Sequence, residues 1–314
     1  WCKAVLESVK DNVYLYYGKL LDLLSGNVTL GSDPANRIYL VNRRIVEDRV
    51  VEHLERFTIV LPEVAYDLTG LEKLFLKKLA GRNVYYLRIR SEEQKEAYCS
   101  LLQALPKLKI GFVGWEDARL ENVLRDLGLE YEVVARGNEH LPNPSELEKY
   151  DALVLYSWYV VNQTDASTLL KAFRKGVGVV ALCSVPYEVW KASEMAFGEM
   201  FGAKTAFDLN YSFSSVEYFE EHFVTSRLSL PYVAKGPSAA LANLTSGVGL
   251  AKVGKGLYSL VVNEGTNARA VAFCKAPLDM DWREVVVLKL CIAWVLLFKY
   301  GVNLEALAPS KKHA

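Results

Sequence analysis

Near-continuous apolar runs alternate along this chain with stretches in which apolar residues recur every three or four positions. The clearest runs are 109–113 (KIGFV), 152–156 (ALVLY) and 177–182 (VGVVAL). Such runs predict strands covered on both faces, and the intervening periodicity predicts helices, so the region reads as a right-handed βαβ succession in a parallel sheet. Residues 147–190 carry this most plainly: a buried strand, a polar crossover, a helix ending in Lys175-Gly176, and a second buried strand ending on Cys183. Further on, 188–201 predicts a helix, and 249–253, 257–262 and 268–274 predict hairpin strands. Their turns are Gly254-Lys255-Gly256 and Asn263-Glu264-Gly265. Asp279 and Asp281 stand in capping position ahead of 285–298 (VVVLKLCIAWVLLF), which is too short to span a bilayer comfortably and carries Lys289. It predicts a buried C-terminal helix.

The same order of elements occurs earlier. Residues 13–17 (VYLYY), Gly18 and an apolar helical pattern stopping at Ser25-Gly26 parallel 109–113, Gly114 and a helix stopping at Gly128. Leu54 answers to Leu147, Phe57 to Tyr150, Tyr66 to Tyr159 and Gly81 to Gly176, with the offset held between 93 and 96 residues. That constancy predicts an internal duplication of one βαβ-type unit. A helical pattern over 91–108 is broken at Pro106, which sets a boundary between a truncated unit, 1–106, and a full α/β domain, 107–314.

Composition narrows the partners. Among 314 residues, 51% are hydrophobic and 24% charged, as in soluble globular proteins. The 37 basic residues balance 37 acidic ones, so no net field draws the chain to nucleic acid or to an anionic membrane. Cysteines at 2, 99, 183, 274 and 291 have neither disulfide-framework nor zinc-ribbon spacing, which favours a reducing, cytoplasmic setting. Sequons at Asn27, Asn162, Asn210 and Asn243 keep export as the alternative, and no signal-peptide pattern is visible.

Taken together, strand KIGFVG, a helix, strand YDALVLY, a helix leading into RKGVGVVALC, a later F-G-A, the GKGLYSLV hairpin and a final LKLCIAWVL helix resemble the class I glutamine amidotransferase-like fold. Within it, the chain is most similar to the ThuA-like branch and to the non-catalytic module of that fold in some β-galactosidases. The resemblance covers 107–300 well and 13–90 more weakly. It implies two tandem flavodoxin-like, amidotransferase-like doubly wound parallel sheets, the second with extra C-terminal β-hairpins.

In that family a nucleophilic Cys stands at a strand-to-helix elbow, the position of Cys183. The family's Gly-x-Cys-x-Gly is replaced here by Ala181 and Val185, followed by Pro186. Side chains where glycines relieve crowding argue against the strained turn and for a buried structural thiol. Of the histidines His53, His140, His222 and His313, only His222 lies where the family's base is expected, beside Glu220 and Glu221. The family's His-Pro-Glu string is absent, and a solvated loop His is the plainer reading.

Glu63 and Tyr66, with Tyr156, Ser157 and Tyr159 in the second copy, stand beyond strand ends where a polar ligand binds, and Glu188 begins the helix that follows Cys183. Gly247, Gly249, Gly254 and Gly256 read as hairpin turns rather than a phosphate loop, because no helix follows them. Asp279, Asp281 and Glu284 read as a helix cap rather than a metal cluster, so neither metal nor cofactor is expected. Eighteen Tyr and six Trp suit carbohydrate-like ligands or protein interfaces. The expectation is a non-catalytic amidotransferase-like module that binds a small molecule or a protein partner, as a homo-oligomer or within a larger assembly. The alternative is a Cys-dependent hydrolase or amidotransferase-like enzyme using Cys183 and His222.

Overall fold

A computed structural model describes residues 108–307 apart from 128, 130 and 209–214, together with three short strands and single positions between 93 and 107. The chain divides into two units, 1–107 with 126–129 and 302–314, and 108–125 with 130–301. In the first, β1 (Arg37–Tyr39), β2 (Thr58–Pro62) and β3 (Tyr85–Leu87) form a parallel sheet in that order. The β-branched and aromatic residues of Thr-Ile-Val and Tyr-Tyr suit a pleated surface. The predicted strand at 13–17 and the matched positions Gly18, Leu54, Tyr66 and Gly81 lie outside the described residues.

The second unit begins with β4 (Ile110–Gly114), α1 (Ala118–Asp126), β5 (Tyr131–Arg136), α2 (Pro144–Leu147), β6 (Ala152–Tyr156), α3 (Gln163–Arg174) and β7 (Gly178–Leu182). It continues through α4 (Val185–Ala192), α5 (Glu194–Phe201), β8 (Ala203–Phe207), β9 (Ser215–Tyr218), β10 (Tyr232–Lys235) and β11 (Ala240–Leu244). The strands β12 (Val248–Gly254), β13 (Leu257–Glu264) and β14 (Arg269–Phe273), then helix α6 (Trp282–Leu296), follow. All eleven strands join one mixed sheet. Five of them run parallel in the order β5-β4-β6-β7-β14, and β13, β12, β9 and β10 extend the sheet antiparallel. β11 lies along the stretch of β13 that β14 leaves free, and β8 pairs beyond it.

β4, β6 and β7 are buried at every position, as their unbroken apolar runs require. One face packs Leu153, Leu155, Val179 and Ala181 against apolar residues of α2, α3, α4 and α5. The other face carries α6, which contacts β6, β7 and β14. Two sequence expectations change. The helix expected over 188–201 is two helices, because Ser193 is extended (φ −162°) and its Oγ caps α5 at Ala196 N. The C-terminal hairpins exist but are not an appendage: β14 lies parallel to β7, so they carry the central sheet onward.

The antiparallel half is fastened to α6 by a buried polar cluster. Lys275, directly after Cys274 at the end of β14, is fully buried, and its Nζ donates to Glu284 Oε2 at 2.5 Å and to Lys235 O at 2.7 Å. Tyr218 of β9 donates to the other Glu284 oxygen at 2.9 Å. Glu284 also accepts from Asp281 N, completing the capping box in which Asp281 accepts from Arg283 N and Glu284 N. Asp279 closes a separate 3₁₀ turn ahead of it, and Asp281 and Glu284 cap the start of α6. Among the described residues no helix is long and apolar enough to cross a membrane.

Removing one member of a buried pair strands the other charge, a loss of about 3–5 kcal/mol. Lys275→Met is therefore expected to lower the urea unfolding free energy by about 3 kcal/mol or more, and adding Glu284→Gln to recover part of it. A Lys275→Met variant as stable as the parent would contradict the role given to this pair.

Candidate functional site

The chain leaves β4 for β5 on one side and then returns to β6 on the other, so the sheet order reverses at β4 and β6. Ligands in such sheets bind outside the carboxyl ends of the strands at that reversal. Here three neighbouring strand ends leave ordinary extended backbone together: Gly114, the last residue of β4, has φ 130°, Ser157 after β6 has φ 51°, and Cys183 after β7 has φ 58°. Non-glycine residues at positive φ cost of order 1–3 kcal/mol and persist where the surroundings over-determine them, often at functional sites. At Gly114 the reason is close approach, since a Cβ there would lie 1.6 Å from Tyr156 O.

Aromatic side chains surround this edge. Trp115 is 46% and Tyr159 56% exposed, whereas Trp158 is buried and donates from Nε1 to Glu139 O at 2.9 Å. The Trp115 indole packs over Gly137, where a Cβ would come within 2.2 Å of the ring and 2.7 Å of Ser157 O. Tyr156, the last residue of β6, is 8% exposed. Burial pushes its phenol above the ordinary range; a hydrogen bond with Ser157 opposes this, and negative charge at Asp117, Cys183 and Tyr159 adds to it. Tyr156 is accordingly a neutral phenol hydrogen-bonded with Ser157.

Cys183 holds the elbow position with the elbow's backbone. The expectation that Ala181 and Val185 would prevent a strained turn is corrected by φ 58° at Cys183. Strain is confined to one residue: Ala181 pairs with the equally small Ala272, and Val185 turns its side chain into the core at the start of α4, where Pro186 fits the first helical turn. The residue as a whole is only 5% exposed.

His222 is elsewhere. Its Nδ1 accepts from Val224 N at 3.2 Å, capping a 3₁₀ turn, and its ring meets the Trp294 ring edge-on at 5.2 Å. Arg269 stacks on Trp294 and bonds its carbonyl. Arg269 begins β14, whose far end, Phe273, receives a hydrogen bond from Cys183 N. His222 is thus linked through Trp294 to Arg269 at the start of β14, whereas Cys183 bonds Phe273 at its end, and those two strand residues are roughly 13 Å apart by the ~3.3 Å rise of a parallel strand. The structure does not bring together the pair that the enzyme reading requires. Burial, reinforced by the positive charge of Arg269, lowers the His222 pKa from 6.5 to about 4, so the ring is neutral rather than the solvated imidazole expected.

Tyr156, Ser157 and Tyr159 are brought together. Glu188 is not aimed at them: it pairs with Lys191 at 3.0 Å, one turn farther along α4 from the edge. Glu63 and Tyr66 lie outside the described residues. Two members of the edge were missed in the sequence. Trp115 stands one residue past a strand end, which marks it in retrospect. His140 follows β5 and its Nδ1 lies 2.8 Å from the buried Asp165 carboxylate, which also accepts from Leu141 N and Asn162 N. A carboxylate at that distance accepts a hydrogen bond from Nδ1–H, the tautomer that leaves Nε2 as an acceptor. The readable signal was the capping box Asn162-x-x-Asp165.

No family model and no curated protein sequence matches this chain. Among solved structures, it is similar to a ThuA-like protein from Bacteroides uniformis at 14% identity, covering 60% of this chain and 91% of that one, with a TM-score of 0.43. A β-galactosidase from Bacillus circulans is similar at 13% identity over 74% of this chain and 42% of that one, TM-score 0.41. An exo-β-1,4-mannosidase from an Opitutaceae bacterium is similar at 11% identity over 78% and 44%, TM-score 0.37. The chain spans less than half of each glycosidase.

Two outcomes follow. Glycine tolerates positive φ and alanine does not, so Cys183→Gly is expected to unfold at higher urea than Cys183→Ala, by about 1 kcal/mol, the reverse of the usual order; alanine proving the more stable would contradict the strained elbow. His222 binds a proton at 6.5 unfolded but at about 4 folded. Its contribution to stability is complete above 6.5, falls as pH drops through the window from 6.5 to about 4, and levels off below. His222→Asn, which keeps a capping acceptor, should lose that share of the slope in unfolding measured across this range.

Proposed function

We propose that the second unit is a non-catalytic, amidotransferase-like module that binds a small carbohydrate-like ligand outside the carboxyl ends of β4 and β6. The observation that carries this is the pairing of exposed Trp115 and Tyr159 with a buried, neutral Tyr156 hydroxyl at the point where strand order reverses. Sugar rings present apolar C–H faces and a rim of hydroxyls. Aromatic faces suit the first, and a few convergent polar groups suit the second. Tyr156 and Ser157 supply donors, and Asp117 and His140 Nε2 supply acceptors on loops of the same edge.

A cysteine-dependent reaction is disfavoured by the nearly complete burial of Cys183 and by the placement of His222 at the other end of the sheet. The first unit we take as a truncated copy of the second. The constant 93 to 96 residue offset and the parallel order β1-β2-β3 support that relation. Among the described residues Cys183, Cys274 and Cys291 are in no disulfide, which supports a reducing, intracellular setting.

Saturation-transfer NMR with a panel of mono- and disaccharides tests the reading. At least one sugar is expected to receive magnetisation, with affinity weakened about tenfold by Trp115→Ala, equivalent to about 1.4 kcal/mol of lost stacking. Tyr156→Phe should weaken it several-fold. A panel without binders, or binding indifferent to Trp115→Ala, would refute the assignment.

A further inference from the structure

Among the described tryptophans only Trp115 and Trp282 are exposed, 46% and 53%. Both stand just outside the carboxyl edge of the parallel strands. Trp115 directly follows β4, and Trp282 opens α6, whose other end lies at the opposite edge, since Arg269 at the start of β14 bonds Trp294 O. The two loops are fastened to each other. Arg119, in the first turn of α1, donates from Nη1 to Leu278 O at 2.7 Å and from Nη2 to Met280 O at 2.6 Å. Arg119 is four residues on from Trp115, and Trp282 two on from Met280. Those stretches span at most ~14 Å and ~7 Å, so the two indoles are attached within the length of a short oligosaccharide. The Trp282 ring is also held: the Arg283 guanidinium lies 4.7 Å from its centroid and 5.0 Å from that of Tyr232, whose hydroxyl donates to Asp281. A ring positioned before binding loses little freedom on contact.

We propose that the ligand of this module is an oligosaccharide bound across two aromatic subsites, the first at Trp115 and Tyr159 and the second at Trp282. The inference rests on the carbohydrate reading given above and extends it from a single sugar to a chain. Along the two tied loops the indoles are interrupted by carboxylates, Glu116 and Asp117 after Trp115 and Asp279 before Trp282, each exposed or partly exposed. A row of sugar rings alternates in the same way, offering apolar C–H faces and then hydroxyls that donate to acids. A protein partner would be met by a contiguous apolar centre depleted of charge, and these acids argue against one. The second platform engages only a ligand long enough to reach it. Chain length is therefore the property this edge selects.

Isothermal titration of the full chain with linear gluco-, galacto- and manno-configured ligands, from monosaccharide to hexasaccharide, tests this. In a series that binds, affinity is expected to rise with length, the hexasaccharide binding about tenfold or more tighter than the monosaccharide through the additional stacked ring. Trp282→Ala is expected to erase that ratio, and Trp282→Phe, which keeps an aromatic plate, to retain most of it. Trp115→Ala should weaken ligands of every length. Equal affinity at all lengths in the parent protein, or a length advantage that survives Trp282→Ala, would overturn the proposal while leaving the carbohydrate reading in place. A panel in which no sugar binds at any length would overturn both.

Discussion

Close approach of backbone at the ends of β4, β6 and β7 is the constraint on which the site depends. The strands are buried on both faces, so their ends cannot splay into solvent, and the chain must turn away within one residue. Gly114 does this against Tyr156 O, and Ser157 and Cys183 do it at the energetic disadvantage of positive φ. Beyond these turns Trp115 and Tyr159 are exposed, whereas Tyr156, Trp158 and Cys183 are buried. Aromatic surface, a protonated phenol and a sheltered thiol at one edge are consequences of one steric condition.

That edge remains in register only if the antiparallel half of the sheet is held, and here the start of α6 contributes more than helix capping. Glu284 closes the capping box with Asp281 while its carboxylate receives Lys275 from β14 and Tyr218 from β9. One side chain therefore couples a helix terminus, the last parallel strand and a strand of the antiparallel half. Buried charge of this kind is tolerated because each oxygen has a donor.

Much of the sheet was legible because strands such as Ala152–Tyr156 and Gly178–Leu182 are covered on both faces, and only apolar residues survive there. The cap at Asp281 and Glu284 was legible for a similar reason: it is a local pattern with a local cause. The conformation of Cys183 was not, because its positive φ is imposed by neighbouring strands and Val185 looks obstructive until its side chain is seen turned into the core. His222 was misplaced because EEHFVTS reads as solvated loop, whereas its burial comes from Trp294, a residue of a helix much later in the chain. Nothing in the local sequence signals that contact. Likewise the parallel pairing of β14 with β7 is a property of sheet order rather than of either strand.

The central claim is that the elbow persists as strained architecture around a sheltered sulfur rather than as an exposed nucleophile. Its most direct measurement is the rate at which iodoacetamide labels Cys183 in the folded chain, compared with the same chain in urea and followed on the Cys183 peptide. The account predicts labelling slower in the folded state by about a hundredfold or more, the ratio given by a local opening cost of about 2.7 kcal/mol. Labelling as fast in the folded chain as in urea, or faster, would mean an open and activated thiol, and would contradict the account.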